Sequence, residues 1–143
     1  MNSEMILLST IVWQNILAEA RATANAEPVL EGYLKSTIMD HSNLGSALSF
    51  HLSNKLASVS FPAKMLRDIM DDAFKDSTIV DQAARDIQAT VDRDSACKLY
   101  SSPFLYFKGF LSLQAYRVAH QLWNQGRRSL ALLLQHRISM TFA

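Results

Sequence analysis

The residue types that most often carry out chemistry are few in this sequence and widely spaced. The four histidines (His41, His51, His120 and His136) never stand at the i, i+4 spacing that places two imidazoles on one helix face for metal binding. Each is interpreted as a surface or hydrogen-bonded residue. The single cysteine, Cys97, has no partner for zinc or a disulfide, and no glycine-rich phosphate loop or G-x-S-x-G motif occurs. These residues predict no metal site and no catalytic centre.

The elements that must position any functional residue are predicted to be helices. The chain has 143 residues, of which 49% are hydrophobic and 19% charged, with only four glycines and three prolines. This composition is globular, and so few turn residues favour helices over a sandwich or barrel. We expect an all-α fold, a compact bundle of seven or eight helices, with residues 1–143 as one domain.

Prolines and polar residues divide the chain into these helices. Pro28 ends a first helix and begins a second, and Asn43 is the predicted N-cap of the third. Further caps are predicted at Ser60, ahead of Pro62, and at Ser77 or Thr78. The apolar lines expected to be buried, at helical spacing, are Leu8, Val12 and Ile16; Leu30, Tyr33, Leu34 and Ile38; Leu44, Leu48, Leu52 and Leu56; Met65, Leu66, Ile69, Met70 and Phe74; Ile79, Ala83, Ile87 and Val91; and Leu130, Leu133, Leu134 and Ile138.

The segment from Ser102 to Gln125 differs from the other helices because apolar residues lie nearly all round it. A helix without a wet face belongs in the centre of a domain or of an assembly. Gly126 is its predicted left-handed stop. Since one bundle of this size can hardly cover such a helix on every side, the chain is predicted to self-associate.

Charge is unevenly distributed along the chain. All 13 acidic and 8 of the 14 basic residues lie in residues 1–94, a net charge of −5; residues 95–143 hold the other 6 bases and no acid. The asymmetry is open to three interpretations: attraction within the molecule, contact with another subunit, or binding to nucleic acid. The bases are spaced singly, so no nucleic-acid partner is expected.

No apolar run approaches the ~20 residues of a membrane span, and no secretory signal is seen, so a cytoplasmic location is expected.

Four segments, in order, resemble one known family. Residues 98–128 contain K-G-F-L-S-L-Q-A-Y-R and then H-Q-L-W-N-Q-G-R-R, similar to the K-G-F-x-A-L-Q-A-Y-R and H-x-L-W-x-x-G-R signature of serine acetyltransferases. Residues 11–21, 43–56 and 86–94 are similar to the family's first, third and a further helical segment. The chain therefore resembles the N-terminal helical domain of bacterial serine O-acetyltransferases over nearly its whole length.

The resemblance implies an activity that the residues alone do not show. Enzymes of this family transfer an acetyl group from acetyl-CoA to the hydroxyl of L-serine, the first step of cysteine biosynthesis, and L-cysteine inhibits them. Their helical domain builds trimers and hexamers, and a second domain of hexapeptide repeats supplies the catalytic histidine and the acetyl-CoA cleft.

Here S-M-T-F-A at residues 139–143 stands where the family continues into those repeats. We therefore expect no catalytic residue, no bound cofactor and no activity from these 143 residues alone. O-acetylserine sulfhydrylase is expected to bind only through a C-terminal tail that these residues do not include.

One substrate-binding residue of the family falls within this chain. The resemblance implies that Asp94, in the R-D-P motif, holds the amino group of serine or of cysteine, although Ser95 replaces the proline. A carboxylate and an ammonium group form strong charge-assisted hydrogen bonds. The alternative is that Asp94 only caps a short helix that begins at Ser95.

The remaining matching residues are interpreted as structural: Tyr116, Arg117, His120, Trp123 and Arg127, with Gly109 and Gly126. Arg117 and Arg127 are each expected to have a carboxylate or carbonyl partner, because an unpaired buried charge is costly. Gly109 is expected to allow close helix contact.

The alternative to a part of a serine acetyltransferase is a stand-alone helical oligomerisation module without catalytic activity.

Overall fold

The computed structural model describes the backbone of residues 3–143, and side chains from residue 7 onward. This part of the chain forms eight α-helices and no β-strand, which confirms the predicted fold class. The helices are α1 (Ser3–Ala26), α2 (Glu31–Leu34), α3 (Leu44–Leu56), α4 (Ala63–Ala73), α5 (Ser77–Arg93), α6 (Ser101–Tyr106), α7 (Lys108–Asn124) and α8 (Arg128–Phe142). A 3-10 turn at Pro28–Leu30 precedes α2 and a π turn at Lys35–Met39 follows it. No helix among the residues described is long and apolar enough to cross a bilayer.

The longest helix, α1, packs against α5 and against the turns around α2. Val12, Ile16 and Ala20 face the core and are at most 1% exposed. Leu8, part of the same predicted line, is partly buried against this core. Glu19, three residues after Ile16, lies at the flank of this buried line and is partly buried, facing the start of α6.

Helix α3 crosses the middle of the bundle and contacts α4 and α8. Its predicted cap is confirmed, because Asn43 Oδ1 accepts the Ser46 N–H at 2.9 Å and satisfies one of the free donors at the helix start. All four of its predicted leucines are fully buried. At Gly45 an added Cβ would lie 3.2 Å from Val80 Cγ2, so the close helix approach lies here, between α3 and α5.

Helices α7 and α8 form an antiparallel pair joined by Gly126, whose φ is +81°. The Gly126 N–H bonds to Trp123 O and the Arg127 N–H bonds to Leu122 O, both at 3.0 Å. These two bonds are the Schellman motif that stops a helix with a left-handed residue, as predicted.

The predicted continuous helix over residues 102–125 is wrong in two respects. Phe107 is extended (φ −85°, ψ 109°) and divides it into α6 and α7. Helix α7 also has an exposed face, where Leu113 is 40%, Tyr116 50% and Trp123 37% exposed. The helix therefore borders the bundle and does not lie at its centre.

Several single positions also differ from the sequence prediction. Tyr33 and Met65, expected in the core, are exposed by 40% and 49%. Asp76, and not Ser77 or Thr78, caps α5, through the Thr78 N–H at 2.9 Å. Helix α4 begins after Pro62 without a side-chain cap, so the predicted cap at Ser60 is wrong.

Candidate functional site

Asp94 lies at the C-terminal end of α5, where the helix gives way to a seven-residue link to α6. Its N–H completes the helix by bonding to Thr90 O at 3.0 Å. Its Oδ1 accepts the Ala96 N–H at 2.9 Å, and its carbonyl accepts the Cys97 N–H at 2.9 Å. The carboxylate thus stabilises a turn, but no helix begins at Ser95. The second oxygen, Oδ2, has no hydrogen-bond donor among the residues that the structure describes, and the side chain is exposed.

The exposed side of Asp94 borders a cavity of about 730 Å³ between the end of α5 and the start of α7. The lining from α5 and its cap is Asp86, Ala89, Thr90, Arg93 and Asp94. The lining from the other side is Phe107, Gly109, Phe110 and Leu113. One wall is therefore polar and acidic, and the facing wall is apolar.

Gly109 does not make the close helix contact that was predicted for it. A Cβ added at this position meets no atom within 4 Å in this chain, and the residue is exposed. It instead lines the cavity with its backbone.

A second carboxylate, Asp86, also lines the cavity and is held by α7. Its Oδ2 accepts hydrogen bonds from Arg117 Nη1 and, at 2.8 Å, from Gln114 Nε2. Arg117 also donates to Gln114 Oε1 at 2.8 Å. This confirms the predicted carboxylate partner of Arg117. The corresponding prediction for Arg127 is wrong, because Arg127 is exposed and no acceptor for its side chain is found in the described part of the chain.

The other residues interpreted as structural make local contacts on α7 and α8. The Tyr116 ring stacks on His120, with centroids 6.0 Å apart, and His120 Nε2 lies 3.1 Å from Asn124 Nδ2. The Arg128 guanidinium lies over Trp123, 4.6 Å from the ring centre. No group of three or more potential metal ligands occurs among the described side chains.

The sequence prediction missed Glu19, and it interpreted His51 as a surface or hydrogen-bonded residue without indicating its partner. Glu19, on α1, accepts backbone N–H groups from Tyr100 and Ser101 at the start of α6. His51 is buried in α3 and bonds to Leu105 O at 3.0 Å. Both contacts join residues more than 50 positions apart, so no local pattern indicates them.

The family model for "Serine acetyltransferase, N-terminal" matches residues 12–115. The chain belongs to this family. It is 52% identical to serine acetyltransferase from Escherichia coli K12 over 133 residues, which are 92% of this chain and 49% of that protein. The chain therefore spans about half the length of the curated serine acetyltransferases it matches.

Solved serine acetyltransferases share its fold closely. A structure in complex with CoA is 50% identical with a TM-score of 0.92, covering 94% of this chain and 57% of the other. Soybean serine acetyltransferase complexed with serine is 48% identical with a TM-score of 0.90, covering 94% of this chain and 56% of the other. In both comparisons the likeness extends over 94% of this chain.

Proposed function

We propose that this chain is the helical half of a serine O-acetyltransferase and that its Asp94 binds the amino group of L-serine. The observation that carries the proposal is the position of the Asp94 carboxylate. It lies exposed at the rim of the cavity, with Oδ2 free of donors from the described residues. Residues 1–143 would then serve as one assembly domain and as one wall of the serine site.

The electrostatics of the α5 terminus support a cationic ligand. The last carbonyl groups of a 17-residue helix give its C-terminus a partial negative charge, and Asp94 adds a full one. An acidic residue at this end of a helix is unfavourable by roughly 0.3–1 kcal/mol in a free domain. Arg93 offsets part of that cost. An ammonium group bound to Oδ2 would remove the repulsion and form a charge-assisted hydrogen bond.

In the complete enzyme, Asp94 would orient serine and would not react. Acetyl transfer forms an ester bond between the serine hydroxyl oxygen and the acetyl carbon and breaks the thioester of acetyl-CoA. A general base takes the hydroxyl proton and returns it to the sulfur of the departing CoA, which leaves as the thiol. The base and the acetyl-CoA cleft are expected in the half of the enzyme outside these residues. Fixing the amino group places the hydroxyl for attack and lowers the entropic part of the barrier.

The test uses residues 1–143 joined to the C-terminal half of the Escherichia coli relative, referred to as the joined enzyme. Asp94→Asn keeps the Oδ1 acceptor for the Ala96 N–H but removes the charge. The loss should raise KM for serine by about 10- to 150-fold, from roughly 1.5–3 kcal/mol of a charged hydrogen bond. Inhibition by L-cysteine should weaken in parallel, whereas KM for acetyl-CoA should stay unchanged.

The control is Asp92→Asn, which removes a carboxylate from the last turn of the same helix. Among the described side chains the Asp92 carboxylate accepts a hydrogen bond from Gln88 Nε2 alone, at 2.9 Å. It should leave both serine and cysteine binding unchanged. If Asp94 only stabilises the turn, Asp94→Asn will be silent for both ligands and Asp94→Ala will lower the melting temperature. That pattern would remove Asp94 from the site.

The 143-residue chain alone is expected to have no acetyltransferase activity, because no general base is assigned in it. The measurement follows CoA release from acetyl-CoA with and without L-serine. Serine-dependent release by the purified chain would contradict this expectation, and an inactive joined enzyme would contradict the proposed function.

A stand-alone oligomerisation module is the second candidate, and the exposed face of α7 favours it. Leu113, Tyr116 and Trp123 stand at positions i, i+3 and i+10 of this helix, so they share one side of it. The joined enzyme separates the two candidates, because a module without a catalytic role gives no reason for Asp94→Asn to change KM for serine.

A further inference from the structure

The link between α5 and α6 carries Asp94 at its first position, so its conformation decides where the carboxylate points. Two hydrogen bonds within the link hold its first half: Asp94 Oδ1 accepts the Ala96 N–H and the Asp94 carbonyl accepts the Cys97 N–H. The Cys97 side chain is buried. The Cys97 thiol lies 3.4 Å from Leu99 O. These contacts fold the link on itself but do not attach its far end to the bundle.

Two contacts attach the far end: the Tyr100 side chain packs against the hydrophobic core, and Glu19 binds the backbone from α1. Glu19 Oε2 accepts the Tyr100 N–H at 3.1 Å, and its Oε1 accepts the Ser101 N–H at 2.8 Å. Tyr100, the N-cap residue of α6, supplies no side-chain cap, so a carboxylate from another helix does the capping. Ser101 is 7% exposed, and its N–H would be left without an acceptor inside the protein if Glu19 were removed.

The same anchor also affects the opposite wall of the cavity. Helix α6 has six residues and leads directly to Phe107, which lines the cavity and precedes α7. Fixing the start of α6 therefore fixes the end of the link that holds Asp94 and the beginning of the wall that faces it.

We propose that Glu19 is a positioning residue for the serine site: by capping α6 with both carboxylate oxygens, it sets the conformation of residues 94–100 and so the place of Asp94. This inference rests on the proposed role of Asp94. Glu19 lines no part of the cavity and would not touch the substrate.

The principal variant is Glu19→Gln in the joined enzyme. Glutamine has nearly the same size, but only one of its two terminal groups can accept a hydrogen bond, so one of the two N–H groups loses its partner. KM for serine should rise about 5- to 30-fold, while kcat and KM for acetyl-CoA stay within about twofold. The matched control is Glu27→Gln, an exposed carboxylate just beyond the end of α1 that makes no side-chain cap. It should change none of these constants.

Combining the two substitutions tests whether Glu19 acts through Asp94. In an Asp94→Asn background the serine ammonium has lost its carboxylate, so adding Glu19→Gln should change KM for serine by less than about twofold. A general loss of structure would instead add its full effect in both backgrounds and would also change KM for acetyl-CoA. If Glu19→Gln does not fold, Glu19→Asp is measured in its place. It keeps the charge but is too short to reach both N–H groups.

A second measurement on the 143-residue chain does not depend on activity. Amide hydrogen exchange at Ala96 and Cys97, whose N–H groups bond to Asp94, should be at least about tenfold faster in Glu19→Gln than in Glu27→Gln. Unchanged exchange, or an additive effect on KM in the double variant, would overturn the positioning role. A silent Asp94→Asn would instead overturn the proposed function, and the exchange result would still show whether Glu19 orders the link.

Discussion

His51 should make the stability of this chain depend on pH in the range where a free histidine titrates. Its ring lies in α3, 4% exposed, stacked on Phe104 with centroids 5.2 Å apart. Because its Nε2 faces the carbonyl of Leu105 at 3.0 Å, Nε2 carries the proton and Nδ1 is the site of further protonation. Protonating Nδ1 would place a charge inside the bundle.

Burial lowers the pKa of His51 from 6.5 to about 4; the hydrogen bond to Leu105 opposes this shift and the charge of Lys55 adds to it. The unfolded chain binds the proton below about pH 6.5, but the folded chain does not bind it until about pH 4. The His51 contribution is therefore complete above pH 6.5 and is lost as the pH falls toward 4. Each unit of difference between the two pKa values corresponds to about 1.4 kcal/mol, so the free energy of unfolding should fall by about 3 kcal/mol in total.

The assay is urea unfolding followed by circular dichroism at several pH values between about 7 and 4.5, for the native chain and for His51→Gln. Glutamine can still donate to Leu105 O but does not titrate, so its free energy of unfolding should fall less steeply with acid. Other titrating groups affect both proteins equally and cancel in the difference. His136→Gln, at an exposed position, should follow the native curve. Parallel curves for the native chain and His51→Gln would refute the reasoning.

Two further predictions concern glycines and assembly. Gly109→Ala should raise the free energy of unfolding of the isolated chain by about 0.5 kcal/mol, because its site is helical and open, whereas Gly126→Ala should lower it by about 1 kcal/mol because φ is +81°. If both substitutions change the free energy of unfolding equally in urea titrations, the backbone conformation does not distinguish the two glycine positions. The chain should also self-associate through the exposed face of α7, and Tyr116→Lys should weaken this more than Tyr106→Lys, a tyrosine of similar exposure on α6. Sedimentation that shows only the 16.0 kDa monomer for the native chain would contradict it.

Local patterns predicted those parts of the fold that local physics decides. The leucines of α3 repeat every four residues and Asn43 precedes them, so both the buried line and the cap follow from the sequence. Gly126 stops α7 because few other residues accept a positive φ. These features depend on neighbours within one or two helical turns.

Features that depend on distant neighbours were not predicted. The break at Phe107 occurs in an apolar stretch without glycine or proline at that position, and nothing in the spacing indicates it. Met65 stands at a core spacing but is exposed, because α4 turns that side to solvent. At the candidate site, resemblance to the family indicated Asp94, but the partner that holds its link, Glu19, lies 81 residues before Tyr100.

The long separation of that contact also bears on how the protein forms. The α7–α8 pair joins through one short turn, so it can assemble early and locally, whereas Glu19 cannot meet Tyr100 and Ser101 until the intervening helices are in place. During synthesis Glu19 leaves the ribosome first and must stay without these partners until α6 follows. We therefore expect the candidate site to be among the last features of the chain to form, so that a destabilised variant could keep its helices and lose the site.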